Sequence, residues 1–169
     1  MPKAAFSDIV CSIARTVDAI GERWTPLILR DLFVGLTRFE DLRRDLGIAS
    51  NVLAARLEVL REHGIVEKRA YQSNPARYEY LLTERGRDLY PVLAMLLTWG
   101  DKWLAGPEGP PAVVVHRECG RPTSGVVVCR ECGGSLTADN VRWLSGPGGR
   151  QAPGTMLIGG VLEATDAAD

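Results

Sequence analysis

Apolar residues recur every three or four positions through the first hundred residues, and glycines cut that rhythm into short pieces. Ile13, Val17 and Ile20 predict a helix over Ser12–Ile20, which Gly21 ends. Thr25-Pro26 reads as a cap followed by proline at the first helical position. The helix it opens, Pro26 to Val34, carries Leu27, Ile28, Leu29, Leu32 and Phe33. Being apolar on most sides, it is expected at the centre of the core. Thr37 or Arg38 opens a third helix with Phe39, Leu42 and Leu46 inward, and Gly47-Ile48 turns the chain. A fourth helix, from about Ser50 to His63, places Leu53, Leu57 and Leu60 on one face. Asn51, Ala54, Ala55 and Glu58 fall outside, and Gly64 is the stop.

The period then changes. Ile65 to Tyr71 and Tyr78 to Leu82 are strand candidates joined by the turn-rich run Gln72 to Arg77. Thr83 caps a further helix reaching about Leu104, which Pro91 should kink or split. In that helix Leu89, Val92, Leu93, Leu96, Trp99 and Trp103 form one stripe, while Tyr90, Leu97 and Leu104 fall off it. A helix apolar on more than one face must be covered more than once. The domain's own core would cover one face and a second copy of the chain the other, with Leu93, Leu96, Trp99 and Trp103 at a homodimer interface; the competing reading is a deeply buried helix in a monomer.

Two amphipathic helices at a tight break, followed by a hairpin, are the order of a winged helix-turn-helix, whose second helix enters the DNA major groove. The expected fold is mainly α with a small β-wing. On the fourth helix, Ser50, Asn51, Ala54 and Ala55 would face DNA. Asn51 can pair with adenine or serve as a helix cap, and the alanines let the helix sit close to thymine methyls. Arg43, Arg44 and Arg56 are candidate phosphate contacts, against ordinary ion pairing within the protein. Arg69 and Arg77 flank the wing and could reach a minor groove.

Composition adds bounds. The chain has 169 residues, is 46% hydrophobic and carries a formal net charge of −1. Residues 1–105 hold 15 Lys+Arg against 14 Asp+Glu, so DNA binding would depend on where the arginines sit and not on bulk charge. No apolar run has the roughly 18 residues of a membrane helix, and the start lacks a secretory signal's apolar stretch; a cytoplasmic protein is expected. The two histidines, His63 and His116, are not part of a nucleophile–base pair, and no phosphate loop is present, so no enzyme is expected.

Residues 1–105 are read as one domain and Gly106 to Pro111 as a linker. Residues 112–145 form a second module of another kind. His116-Arg117-Glu118-Cys119-Gly120 and Cys129-Arg130-Glu131-Cys132-Gly133 are two similar knuckles, each with two N/S ligands spaced by two residues. His116, Cys119, Cys129 and Cys132 would fill a tetrahedral structural Zn²⁺ site in a small zinc-ribbon-like appendage that could hardly fold without a staple. A reversible Cys129–Cys132 disulfide, or a motif that has lost its metal, are the rivals. Val126-Val127-Val128 would be a strand into the second knuckle. Residues 146–169 are read as a partly flexible tail in which Met156 to Leu162 could form one strand, with Met1–Phe6 and Glu163–Asp169 frayed.

Many short motifs now agree in order and spacing: Cys11 to Thr16, Ile20-Gly21-Glu22-Arg23-Trp24-Thr25, Leu29-Arg30-Asp31-Leu32, Gly35, Arg38-Phe39, Asn51-Val52-Leu53, Arg56-Leu57, Leu60, Gly64-Ile65-Val66, Tyr78 to Thr83, and Gly86. Over about residues 8 to 105 the chain closely resembles the HxlR-type winged-helix regulators, relatives of the MarR group. The resemblance implies a bacterial transcription factor that binds double-stranded DNA as a homodimer on a palindromic operator. It also implies a redox-sensing candidate: in parts of that family a cysteine matching Cys11 senses oxidants or electrophiles, whereas a buried interface residue is the plain alternative. Trp24, Trp99 and Trp103 could line a pocket for a small-molecule effector, against simple aromatic packing. The family's recognition helix opens Ser-Pro-Asn, with a Thr before its Arg-Leu pair. Here Ala49-Ser50-Asn51 and Ala54 stand instead, so Ser50 is expected to take over as N-cap, and an operator cannot be carried across. A protein-interaction adaptor that keeps the fold without reading DNA is the alternative function.

Overall fold

The computed structural model describes residues 6–158 and 160–162. A 3₁₀ turn at Phe6–Asp8 leads into four helices: α1 (Ser12–Ile20), α2 (Thr25–Val34), α3 (Phe39–Leu46) and α4 (Ser50–Glu62). The hairpin β1 (Val66–Ser73) and β2 (Ala76–Leu82) follows, then the short α5 (Glu84–Arg87), α6 (Tyr90–Trp103) and a two-residue pair, β3 (Val114–Val115) and β4 (Pro122–Thr123). The chain is mainly helical with a small antiparallel hairpin, as a winged helix-turn-helix requires.

The buried apolar side chains are Ile20, Ile28, Leu29, Leu32, Leu42, Ile48, Leu53, Leu57, Leu60, Ile65 and Val66. They are the inward positions of the helical rhythm, and α2 supplies three of them from the middle of the domain. Gly47 joins α3 to α4 at φ +60°, a left-handed conformation that a side chain disfavours. Its place between two helices set at an angle is therefore a property of the residue.

The hairpin is longer than the alternation indicated. Pairing runs from Val66 opposite Leu82 to Ser73 opposite Ala76, with an irregularity between Ala70 and Gln72. The turn shrinks to Asn74-Pro75. The segment before α3 adds to the sheet: Tyr80 N–H donates to the Thr37 carbonyl at 2.7 Å, and Arg38 bridges Glu79. The wing is thereby fastened to the helix-turn-helix.

Several boundaries differ from expectation. Thr25 is the first residue of α2 and Trp24 its cap. Two others are as expected: Pro91 splits the long helix, and the Thr83 hydroxyl caps α5 by accepting from Gly86 N–H at 3.1 Å. Val126-Val127-Val128 is not a regular strand; it contributes the single bridge Val128–Ser135 and a bond from Leu136 N–H to the Val127 carbonyl. Met156 to Leu162 is not a strand either. Its described residues are turn and helix, with Val161 N–H reaching back four residues to the Leu157 carbonyl. The expected fraying at Met1–Phe6 and Glu163–Asp169 lies outside the described residues apart from Phe6, which opens the 3₁₀ turn.

One charged group lies in the core. Asp31 is 1% exposed. Its Oδ1 accepts from Arg30 Nε at 2.8 Å, and the same guanidinium reaches Asp45 on α3 at 3.1 Å. Burial pushes the Asp31 carboxyl above its ordinary value, against the opposing pull of Arg30. Its Oδ2 has no hydrogen-bond partner among the described residues.

Candidate nucleic-acid interface

Helix α4 rests on Leu53, Leu57 and Leu60 and leaves Ser50, Asn51, Ala54, Ala55 and Glu58 exposed. Ala49, in extended conformation, is the N-cap, and its carbonyl accepts from Val52 and Leu53 N–H at 3.0 Å. Ser50 is therefore the first helical residue and not the cap expected of it. Neither Ser50 nor Asn51 caps the helix through its side chain. The Asn51 amide stands exposed at the first turn, and the two alanines behind it make a low surface that can approach a groove closely.

The arginines divide into two groups. Arg43 bonds Glu40 at 2.9 Å, Arg56 pairs with Glu22 at 3.7 Å, and Arg69 crosses the hairpin to Glu79 at 2.9 Å. These three are partly committed to the protein. Arg44 and Arg77 have no carboxylate partner within 4.0 Å among the described residues and are exposed. At the far end of α4, Arg61 holds Glu58 through two hydrogen bonds, one of 2.9 Å, and keeps its carboxyl below the ordinary range.

Beside the wing lies a groove that sequence patterning missed. Arg38 stacks over Tyr71 at 4.8 Å and Lys68 over Tyr78 at 4.2 Å. With Arg77 they line one depression between α3 and the hairpin. The available signal was the alternation along β1 and β2, which puts Lys68 and Tyr78 on one side, but the irregularity at Ala70/Gln72 hides how Tyr71 is aimed.

The family model described as "HxlR-like helix-turn-helix" matches residues 19–107. The chain belongs to this family. An uncharacterised HTH-type transcriptional regulator of Mycobacterium tuberculosis H37Rv, Rv3095, is 45% identical over 137 residues, which is 81% of this chain and 87% of that protein. Among solved structures, PA1607, described as a transcription factor candidate, superposes with a TM-score of 0.76 at 37% identity, covering 83% of this chain and 98% of its own. The redox regulator HypR in its reduced form gives a TM-score of 0.51 at 32% identity, covering 54% of this chain and 92% of HypR. The chain is a transcriptional regulator with a helix-turn-helix domain. Among the described residues no helix is long and apolar enough to cross a membrane.

In this HxlR-like chain α6 has three faces. Leu89 and Leu93 pack against the core. Val92, Leu96, Trp99 and Trp103 are exposed, as are Ile13 and Val17 on α1. Leu93 thus has a partner within the domain, whereas Leu96, Trp99 and Trp103 have none of that kind. Of the residues that fell off the sequence stripe, Tyr90 and Leu97 line the space beside the appendage while still partly exposed, and Leu104 is open to solvent. Of the tryptophans, Trp24 packs on the core, while Trp99 and Trp103 are 57% and 63% exposed.

Cys11 is the extended N-cap of α1, a free and half-buried thiol. Its carbonyl accepts from Arg15 N–H at 3.1 Å. Two residues earlier, Ile9 packs so closely on Gly154 that a Cβ there would stand 2.9 Å from the Ile9 side chain. The tail therefore folds back on the chain just ahead of Cys11.

The two knuckles are built alike. Gly120 N–H donates to the His116 carbonyl and Gly133 N–H to that of Cys129, both at 2.8 Å. His116 N–H donates to the Arg121 carbonyl at 3.0 Å, and Cys129 N–H to that of Gly134 at 2.7 Å. Both closing glycines are left-handed, at φ +66° and +71°. Backbone N–H groups of Cys132 and Glu131, with the Cys132 thiol, pull the Cys129 thiol below its ordinary value. The four side chains do not converge, however: among the described residues no three His, Cys, Asp or Glu groups are placed to hold a metal ion. The backbone and donor set suit Zn²⁺; the side-chain arrangement does not.

Proposed function

We propose that the chain regulates transcription as a homodimer that reads a two-fold DNA site with the N-terminal half of α4. The observation that carries this reading is the bare surface of Ser50, Asn51, Ala54 and Ala55, flanked by Arg44 and Arg77, two cations without a carboxylate partner among the described residues. Ser50 and Asn51 supply donors and acceptors, Ala54 and Ala55 allow close approach, and Arg44 and Arg77 take phosphates on either side. Arg43, Arg56 and Arg69 would join them only by exchanging an ion pair for a phosphate. A homodimer follows from the exposed stripe Leu96, Trp99 and Trp103, continued by Val92 and by Ile13 and Val17, which is too apolar to be left in water. Two recognition helices would then meet half-sites about one helical turn apart.

The signal is the open half of the proposal. HypR, which resembles residues of the helix-turn-helix half, is a redox regulator, and Cys11 at the start of α1 is the thiol by which this chain would respond to oxidants or electrophiles. Zn²⁺ at His116, Cys119, Cys129 and Cys132 would act as a structural staple, with both knuckles closing on it. Stoichiometric zinc in protein purified without added metal, lost in Cys129→Ser, supports that staple; a folded, metal-free appendage overturns it.

The deciding experiment is a binding titration of the reduced full chain on DNA from upstream of its own gene. Binding to a two-fold site that weakens steeply with salt is expected, together with loss on adding diamide and persistence in Cys11→Ser. Binding indifferent to diamide removes the redox reading. Binding no tighter than to random DNA removes sequence reading altogether and leaves an adaptor with a helix-turn-helix fold, which the near-neutral charge of residues 1–105 and the pairing of Arg43, Arg56 and Arg69 would then explain.

A further inference from the structure

Between α6 and the appendage lies a cavity of about 250 Å³. Tyr90, Ala94, Leu97 and Asp101 line it from the helix, and Val113 and Val114 from the appendage. Positions 90, 94, 97 and 101 follow helical spacing, on the side of α6 away from Leu96, Trp99 and Trp103. The joint beside the cavity is close-fitting. Gly125 N–H donates to the Thr98 hydroxyl at 3.0 Å, and that hydroxyl donates to the Ala94 carbonyl at 2.8 Å. A Cβ on Gly125 would stand 3.0 Å from the Met95 sulfur and 3.3 Å from the Ala94 backbone. The appendage is thus seated directly on the helix, and the space beside the seat is bounded by two parts of the chain and not by one.

The lining specifies a ligand class. Most of it is apolar, which suits a compact hydrocarbon or aromatic body. Asp101 is half-buried at its edge and has no ion-pair or hydrogen-bond partner among the described residues. Tyr90, whose ring meets Phe33 edge-on at 5.3 Å between centroids, lies about three helical turns from Asp101 and forms the other end of the lining. A carboxylate at the edge of an apolar cavity selects a cation with a small apolar body.

We infer that this cavity binds a small aromatic or aliphatic amine, with the ammonium group on Asp101 and the apolar body between Leu97, Val113 and Val114. Rv3095 and PA1607 match 81% and 83% of this chain, enough to include the appendage, whereas HypR matches 54%. The cavity needs both halves of the chain, and of these three matches the two longer ones extend over the residues that form it here. Its use as an effector site rests on the regulator reading above; the binding itself does not.

The test is made on the full chain without DNA. Phenethylamine is titrated while backbone amide resonances are followed by NMR, with 2-phenylethanol as the neutral comparison. The amine should shift the amides of Thr98, Val114 and Gly125 and bind about tenfold or more tightly than the alcohol, the worth of a charge-assisted hydrogen bond. Asp101→Asn should bring the amine down to the level of the alcohol. Ala94→Leu, which fills the cavity and leaves Asp101 in place, should abolish both. Equal binding of amine and alcohol, unchanged binding in either variant, shifts confined to other elements, or no saturable binding each overturn the assignment. Because none of these readouts involves DNA, failure here and failure of DNA recognition are separate results.

Discussion

Every buried apolar side chain among the described residues lies between Ile20 and Val66, while Val113, Val126, Val127, Val128 and Leu136 of the appendage are exposed. The first region is held by side chains that exclude water from one another. The second is held by backbone turns at its two knuckles and by a seat on α6 built from Thr98 and Gly125. A periodic apolar pattern of about fifty residues suffices for a core, whereas some thirty residues with one short strand pair and a single bridge do not enclose one and must borrow a surface or a metal. The HxlR-like half thus holds its own buried core, whereas the appendage rests on α6.

The sharpest way to break this contrast is to delete side chains on both sides of it. Leu57→Ala, at 1% exposure, should cost about 2–5 kcal/mol in urea unfolding. Leu136→Ala, already 39% exposed, should stay within about 0.5 kcal/mol. Comparable losses at the two sites would show that the appendage has a core of its own. Next in size is Gly86→Ala. A Cβ there would stand 2.1 Å from the Ile65 carbonyl, so the backbone joining the wing to α5 must shift, at about 1–3 kcal/mol. The same change at Gly106, which has open space around it, should be close to neutral in the same assay.

On DNA, Asn51→Ala should cost about 1–3 kcal/mol of discrimination at one position of the half-site, and Arg44→Ala should lower the salt slope of binding by about one without changing sequence preference. A Cys129→Ser variant should leave both quantities unaltered. Thr83→Ala, which removes the cap on α5, should lower stability by about 1 kcal/mol, read as a shift in unfolding midpoint.

The smallest effect concerns pH. The Asp31 carboxyl is raised in the folded state, so the folded protein holds a proton that the unfolded chain gives up. Its contribution to stability therefore falls as pH rises from the ordinary carboxylate value of 3.8 up to the folded one, and is level above that. Unfolding free energies measured from pH 4 to 7 should show wild type losing ground to Asp31→Asn across that window. A difference independent of pH would mean that Arg30 and not burial dominates at this carboxylate.

Much of the helix-turn-helix was legible because its cause is local. The spacing of Leu53, Leu57 and Leu60 decides which side of α4 is hidden, and hence that Asn51, Ala54 and Ala55 are exposed. Pro91 ends one helix and starts the next through its own ring. The start of α4 at Ser50 agrees with the reading, but its cap does not: Ser50 is a good cap in principle, yet the carbonyl that accepts the first helical bonds belongs to Ala49. Which arginines remain free was not legible either, since Glu22, Glu40 and Glu79 lie at three different distances along the chain from the cations they meet.

Residue order alone determined the rhythm of the helices, the hairpin, the paired knuckles and the family to which they point, because each is a matter of period or spacing within a few residues. Only the tertiary structure decided that Tyr90 and Leu97 lie beside the appendage, that no three of the knuckle side chains converge, and that Asp101 lines a cavity. Those outcomes depend on how segments distant along the chain approach one another, and that approach is set by the shape of α6 and the room left by Gly125, not by any local periodicity.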